Sequence, residues 1–290
     1  MTAHTHHPER RAGIIGWPVA HSLSPAMHNA AFHALGMDWR YDLLPTPPDT
    51  IEQQVSELRA PEFAGANVTI PHKQAVIPYL DRLVDAASVI GAVNTIVASE
   101  EELVGYNTDV AGIRWALEQK GVMPAGWHAV VLGAGGAARA ALYALHTLGV
   151  PSISVFNRTP KRAETLIEEL RPHLIDTTLE AAPLTDVGRL EMALGQAGLL
   201  INATSVGMHP AVDASPLPAG VDLPVHLVVF DMVYNPQETR LLRQAQRAGA
   251  RVVSGLDMLI GQGVEAFRLW TGRTPPVGVM RRAALVALGL

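Results

Sequence analysis

The chain has 290 residues, of which 48% are apolar and 17% charged, with a formal net charge of −5. At roughly 100–200 residues per domain this favours two domains with a substantial core, and it excludes a disordered or collagenous chain. There is no broad basic field for nucleic acid, no apolar run of the roughly 18–20 residues that span a membrane, and no apolar segment of a signal peptide in the first ten residues.

Taken in chain order, Ala12–Ile15 reads as a short strand entering the loop at Gly16-Trp17-Pro18. Ser24-Pro25 opens a helix, because Ser suits the N-cap and Pro the first helical position, and Gly36 closes it. A strand at Trp39–Leu44, a helix at Thr50–Leu58 and a strand at Gly65–Ile70 follow. Lys73–Leu83 and Asp85–Ile90 read as helical, and Val93–Ala98 with Glu102–Tyr106 as a hairpin around the acidic turn Ser99–Glu101. Asp109–Gln119 is amphipathic and helical. The rhythm then changes to strands at His128–Leu132, Ser152–Asn157, Leu199–Asn202, Leu227–Phe230 and Arg251–Val253, with helices at Ala137–Leu148, Arg162–Leu170 and Thr239–Ala248. Strands alternating with helices imply a parallel, doubly wound sheet. Asp257–Trp270 and Pro276–Leu288 are helical, and a domain boundary falls within Asn107–Ala125.

Cysteine is absent, which removes disulfides, thiolate nucleophiles and Cys-ligated zinc and is compatible with the cytoplasm. The 12 histidines are scattered. His4, His6 and His7 lie in a polar start that reads as a flexible tail, so no metal site is expected.

The strand His128–Leu132 runs directly into Gly133-Ala134-Gly135-Gly136-Ala137-Ala138. This is G-x-G-x-x-A between a strand and a helix. The first Gly permits a tight turn, the second lets backbone approach a pyrophosphate, and the last small residue lets the helix pack close to the sheet. The new helix offers free N–H groups and a positive dipole end to phosphate. The next strand ends at Asn157-Arg158-Thr159, without the Asp or Glu that would hold an NAD ribose. Arg158 can instead grip a 2′-phosphate, with Lys161 and Arg162 adding positive charge. Three basic residues at a helix start are opposed by its dipole, and an anionic ligand supplies the reason for them. The cofactor expected is therefore NADP.

The first half carries short polar residues at strand ends. Ser22 and Ser24 can bind a carboxylate ahead of a helix or serve as caps. Asn67 and Thr69, two apart on a strand, project to one face. Lys73 follows Pro71 at the strand exit; it suits proton transfer beside a tuning neighbour, or is a surface lysine. Asn94 and Thr95 are neutral polar groups inside a strand and need partners. Asp109 either caps its helix or does chemistry.

Together these stretches resemble the shikimate/quinate dehydrogenase family. The likeness runs from Gly16 to about Phe267: GWPVAHSLSPAMHNAAF from Gly16, ANVTIPHK from Ala66, GAVNTI from Gly91, GYNTD from Gly105, GAGGAARA from Gly133, NRTPKRAE from Asn157, INATSVGM from Ile201 and DMVYNPQET from Asp231. The resemblance implies reversible NADPH-dependent reduction of the C3 ketone of 3-dehydroshikimate to shikimate, on the route to chorismate and aromatic amino acids. A variant of relaxed choice toward quinate or NAD is the alternative. It implies an α/β fold, with an N-terminal substrate domain at 1–109, a Rossmann-type NADP domain at 110–255, helices 256–290 packed back onto the first, and a cleft between the two. It also implies a cytoplasmic monomer or homodimer.

Carried over by motif, Lys73 and Asp109 form the catalytic pair. Ser22 and Ser24 hold the substrate carboxylate. Thr69, Asn94 and Gln262 contact the ring hydroxyls or carboxylate region, with Asn67 supporting that wall and Tyr234 reaching toward the substrate. Gly133, Ala134, Gly135, Gly136 and Ala137 take the pyrophosphate. Asn157, Arg158, Thr159 and Arg162 take the adenosine phosphate, Thr204, Met232 and Gly255 lie at the nicotinamide side, and Asp85 lies at the cofactor side. Two departures stand out. Val110 replaces a frequent Gly, and Ser99-Glu100-Glu101-Glu102 replaces an Asp-Gly hairpin. Both are expected to affect loop shape only.

Overall fold

The structure is a computed structural model and describes residues 10–290. The three N-terminal histidines and the tail expected around them lie outside the described residues. The chain divides into two units, one comprising the residues up to Thr108 together with Gly263–Leu290, the other Asp109–Gln262.

In the first unit the elements are β1 (Arg10–Gly16), α1 (Ser24–Ala34), β2 (Trp39–Pro45), α2 (Ile51–Glu57), β3 (Phe63–Val68), β4 (Arg82–Leu83), α3 (Ala86–Ile90), β5 (Thr95–Ala98) and β6 (Leu103–Tyr106). They form a six-stranded sheet in the order β2-β1-β3-β5-β6-β4. β1 runs parallel to β2 and β3, while β5 is antiparallel to β3 and to its hairpin partner β6. β3 is buried at every position, as a central strand covered on both faces requires, with Asn67 as its one polar side chain.

The second unit begins with α4 (Asp109–Gln119) and continues through β7 (His128–Leu132), α5 (Gly136–Thr147), β8 (Ser152–Asn157), α6 (Pro160–Leu170), β9 (Thr178–Pro183), α7 (Val187–Gln196), β10 (Leu199–Asn202), β11 (Val228–Asp231), α8 (Arg240–Arg247) and β12 (Arg251–Ser254). Its six strands are all parallel, in the order β9-β8-β7-β10-β11-β12. This is the doubly wound dinucleotide-binding order, with its switch point between β7 and β10. α9 (Gly255–Thr271) crosses the division between Gln262 and Gly263, and α10 (Val277–Ala287) belongs to the first unit.

Two readings of the sequence are corrected. Lys73–Leu83 is not a helix: it is a run of turns with a short 3₁₀ segment at Ile77–Tyr79, ending in β4. Pro78 explains this, since it offers no N–H and its ring would strike the carbonyl four residues back. β9 and α7 were not expected at all. β9 is an edge strand ending in Pro183, with a mixed pattern of burial, and α7 is capped by Asp186, whose carboxylate accepts the Arg189 N–H.

Candidate functional site

At the switch point of the second unit, Leu132 ends β7 and Gly133 turns the chain with φ +107°, a value that L side chains rarely adopt. The Gly133 N–H donates to Phe156 O of the neighbouring strand at 2.9 Å. A Cβ on Gly133 would lie 2.9 Å from Thr204 Cγ2, so the turn is pressed against the loop that follows β10. Gly135 is the N-cap of α5 and no side chain caps it; a Cβ there would meet nothing within 4 Å. Open space thus faces uncapped N–H groups at Gly136 and Ala137, with Ala134 partly exposed beside them. Ala138 is fully buried and lets the helix sit close to the sheet. This cradle fits a pyrophosphate.

β8 delivers Asn157, whose Nδ2 donates to Thr159 O at 2.8 Å and closes the turn before α6. Thr159 takes the N-cap position without a side-chain bond, followed by Pro160. Arg158 and Arg162 are exposed and form no ion pair with any carboxylate of the described residues, whereas Lys161 pairs with Glu164 at 3.4 Å. Two unneutralised guanidinium groups beside an uncapped helix start fit a phosphate monoester.

Beyond β10 and β11 lies a buried polar network. Asn202 Oδ1 accepts the N–H and O–H of Thr204, and its Nδ2 donates to Asp231. Burial pushes the Asp231 carboxyl up to about 6, against three hydrogen bonds that favour its charge. Next along the chain, Met232 places its carbonyl against Gly255, where a Cβ would come within 2.5 Å. Tyr234 follows, its phenol raised by burial. Asp109 is the first residue of α4 and 5% exposed, where its charge suits the helix dipole. Gln262, on α9, is buried and donates to Leu259 O at 2.8 Å. It packs against α4 at Gly112, where a Cβ would lie 3.0 Å from the Gln262 side chain.

In the first unit the expected polar residues converge at the end of β3. The Tyr41 hydroxyl donates to Asn67 Oδ1 at 2.6 Å, and Asn67 Nδ2 donates to Thr95 Oγ1 at 3.0 Å. Both ends of the Asn67 amide are therefore held by protein. Asn94 accepts the Thr108 N–H at 2.6 Å and donates to Thr108 Oγ1 at 3.0 Å. Thr69 lies one residue past the strand, its N–H on Ile15 O and its methyl against Gly16. Lys73 sits in a turn fastened at three points: His72 N–H to Thr69 O, His72 Nε2 to Thr46 O at 2.7 Å, and Val93 N–H to Lys73 O at 2.7 Å.

Leu23, not Ser24, holds the N-cap position of α1, and its own side chain makes no capping bond. The Ser24 hydroxyl is not consumed in capping, contrary to one of the readings above, and the residue is only 2% exposed. Ser22 Oγ accepts the Ser24 N–H at 3.3 Å. Asp85 is exposed at the start of α3, with φ +49° and no side-chain cap bond. It is the one non-glycine of positive φ among the described residues, a conformation costing on the order of 1–3 kcal/mol.

Several supporting groups escaped the sequence reading. Asn202 and Asp231 end otherwise apolar strands, LLIN and VVFD, and that break in pattern was their signal. His72 carried no local signal. Asn107 was visible only as part of GYNTD; its Nδ2 donates to Ala92 O at 2.8 Å, and its Oδ1 is buried without a partner.

Three family models match the chain: the shikimate dehydrogenase substrate binding domain over residues 14–96, shikimate / quinate 5-dehydrogenase over 117–232, and the shikimate 5'-dehydrogenase C-terminal domain over 255–285. A shikimate dehydrogenase (NADP(+)) of Symbiobacterium thermophilum is 49% identical over 282 residues, 97% of this chain and 95% of the relative. The crystal structure of shikimate 5-dehydrogenase from Thermus thermophilus, in complex with NADP(H) and shikimate, is 44% identical with a TM-score of 0.85, covering 96% of this chain and 99% of that one. A quinate dehydrogenase from Corynebacterium glutamicum, in complex with NAD, is 32% identical with a TM-score of 0.86, covering 96% and 99%.

Proposed function

The chain belongs to the shikimate dehydrogenase family, and from that premise we propose that it reduces 3-dehydroshikimate to shikimate, reversibly, with NADPH. The observation that carries this is the likeness along 97% of the chain to an NADP-dependent member. The cofactor, when bound, supplies the hydride. The chain's own residues then handle charge and a proton. As hydride reaches the carbonyl carbon, negative charge grows on the oxygen. The Lys73 ammonium stabilises that charge and, together with Asp109, moves the proton at that oxygen. Asp109 holds the ammonium and orients the hydroxyl. Support comes from the fastened turn that carries Lys73 and from the buried start of α4 that carries Asp109.

Ser22 and Ser24 take the substrate carboxylate, a role favoured by a Ser24 hydroxyl left free of capping. Thr69, Asn94 and Gln262 contact the ring, Asn67 stiffens the wall, and Tyr234 reaches the substrate. The glycine turn takes the pyrophosphate; Asn157, Arg158, Thr159 and Arg162 take the 2′-phosphate end; Thr204, Met232, Gly255 and Asp85 complete the cofactor side. Quinate adds a hydroxyl at C1 beside the carboxylate. The Ser22/Ser24 pair and the unneutralised Arg158 favour shikimate with NADP over quinate with NAD.

Replacing Lys73 by Ala is expected to lower kcat by about a thousandfold, the middle to upper range for a positioned proton donor, with far-UV circular dichroism unchanged. A folded variant within twofold of the parent rate would refute the role of Lys73.

A further inference from the structure

Thr204, assigned above to the nicotinamide side, is held by groups that have no role in the chemistry so far described. Asn202 Oδ1 accepts the Thr204 N–H at 3.1 Å and its O–H at 2.7 Å. The Thr204 hydroxyl in turn accepts the Val206 N–H at 3.1 Å. On the other end of the same amide, Asn202 Nδ2 donates to Asp231 Oδ1 at 2.9 Å. That oxygen also accepts the Val233 N–H at 3.0 Å, and Asp231 Oδ2 accepts the Thr239 O–H at 2.6 Å. Asn202 and Asp231 are both fully buried. Thr204 Cγ2 in turn packs on Gly133. A continuous line of contacts therefore joins the Asp231 carboxylate to the glycine turn.

The chemistry of this line is directional. A carboxamide can sit in either of two orientations, and only one presents an acceptor to Thr204. A carboxylate only accepts, so it draws Nδ2 toward itself and turns Oδ1 toward Thr204. A group that could not accept would leave Nδ2 only its longer bond to Val206 O at 3.4 Å, and the amide that faces the Thr204 N–H would be less firmly fixed. In a fully buried place no water competes for these bonds.

We propose that Asp231 is a positioning residue for the cofactor: by fixing the Asn202 amide it holds Thr204 and the glycine turn in the form that receives the dinucleotide. The inference rests on the reading of the chain as NADP-dependent. It differs from a purely structural role, which the Thr239 bond alone would fill by anchoring α8.

The test is a fluorescence titration of the full chain with NADPH, alongside the KM for shikimate. Asp231→Ala is expected to weaken NADPH binding about tenfold while the shikimate KM stays within about twofold. Asp231→Asn, which keeps one acceptor for Asn202, recovers most of that loss. Thr239→Val lowers the melting temperature and leaves NADPH affinity as in the parent. Should Asp231→Ala fail to fold, Asn202→Ala cuts the same link, leaves Asp231 its bonds to Val233 and Thr239, and is expected to weaken NADPH binding similarly. Unchanged NADPH affinity in whichever of these two variants folds, or an equal loss in Thr239→Val, would overturn the positioning role alone. A parent protein that does not bind NADPH would overturn the functional reading and this role together.

Discussion

Arg158 is the residue we propose selects the cofactor by charge. It follows β8, is exposed, and has no carboxylate partner among the described residues. Its proposed ligand is the phosphate that distinguishes NADP from NAD. A charge-assisted bond of about 2 kcal/mol corresponds to roughly thirtyfold in affinity, so Arg158→Ser should raise the KM for NADPH about that much and leave the rate with NADH nearly unchanged. Parallel KM measurements check this, and an unaltered NADPH KM would speak against the contact. At this scale the sequence disclosed groups whose signal is local. Gly133 and Gly135 stand between a strand and a helix, and Arg158 stands close to where an NAD-binding fold places an acid. It did not disclose partners. That Asn67 is held by Tyr41, or that His72 fastens the Lys73 turn to Thr46, depends on residues 26 positions apart in each case, and no local pattern encodes such pairs.

Helix α1 carries a second kind of surprise, an ionisable ring in an aromatic core. His28 stacks on Tyr41 at 4.5 Å and is surrounded by Phe32, Phe267 and Trp270, with both ring nitrogens lacking partners. Burial pushes its pKa down from 6.5 to about 3. The unfolded chain takes a proton that the folded chain refuses. This contribution to stability is therefore intact above about pH 6.5 and is lost progressively as pH falls toward 3, by a few kcal/mol in all. His28→Phe keeps a stacked ring and removes the titration. Its acid-unfolding midpoint, followed by tryptophan fluorescence, should move to lower pH, and coincident curves for parent and variant would contradict the account. Elements with one apolar face or a clean run were readable from the sequence, as for β7, α5 and β8. The segment after Lys73 was misread because its apolar residues mimic a helix while Pro78 forbids one. β9 and α7 were missed because an edge strand buries little and α7 sits mostly in solvent.

At the scale of the whole molecule, composition and rhythm were informative for one physical reason. A parallel sheet must be covered on both faces, so its sequence alternates apolar strands with amphipathic helices. The second unit obeys this in the strand order β9-β8-β7-β10-β11-β12. The first unit mixes parallel and antiparallel pairs, and its order β2-β1-β3-β5-β6-β4 could not be read from periodicity. With cysteine absent, no thiol competes with the lysine and aspartate proposed as the catalytic pair, and the mild net acidity of −5 coexists with a local basic cluster, Arg158, Lys161 and Arg162, proposed to meet the cofactor phosphate. The central claim is that this chain is an NADP-dependent shikimate dehydrogenase in activity as well as in family. Steady-state oxidation of shikimate and of quinate, each with NADP and with NAD, tests it most directly at the absorbance band of the reduced cofactor. The account predicts that shikimate with NADP gives the highest kcat/KM of the four combinations. Faster oxidation of quinate with NAD, or no cofactor reduction with shikimate, would contradict it.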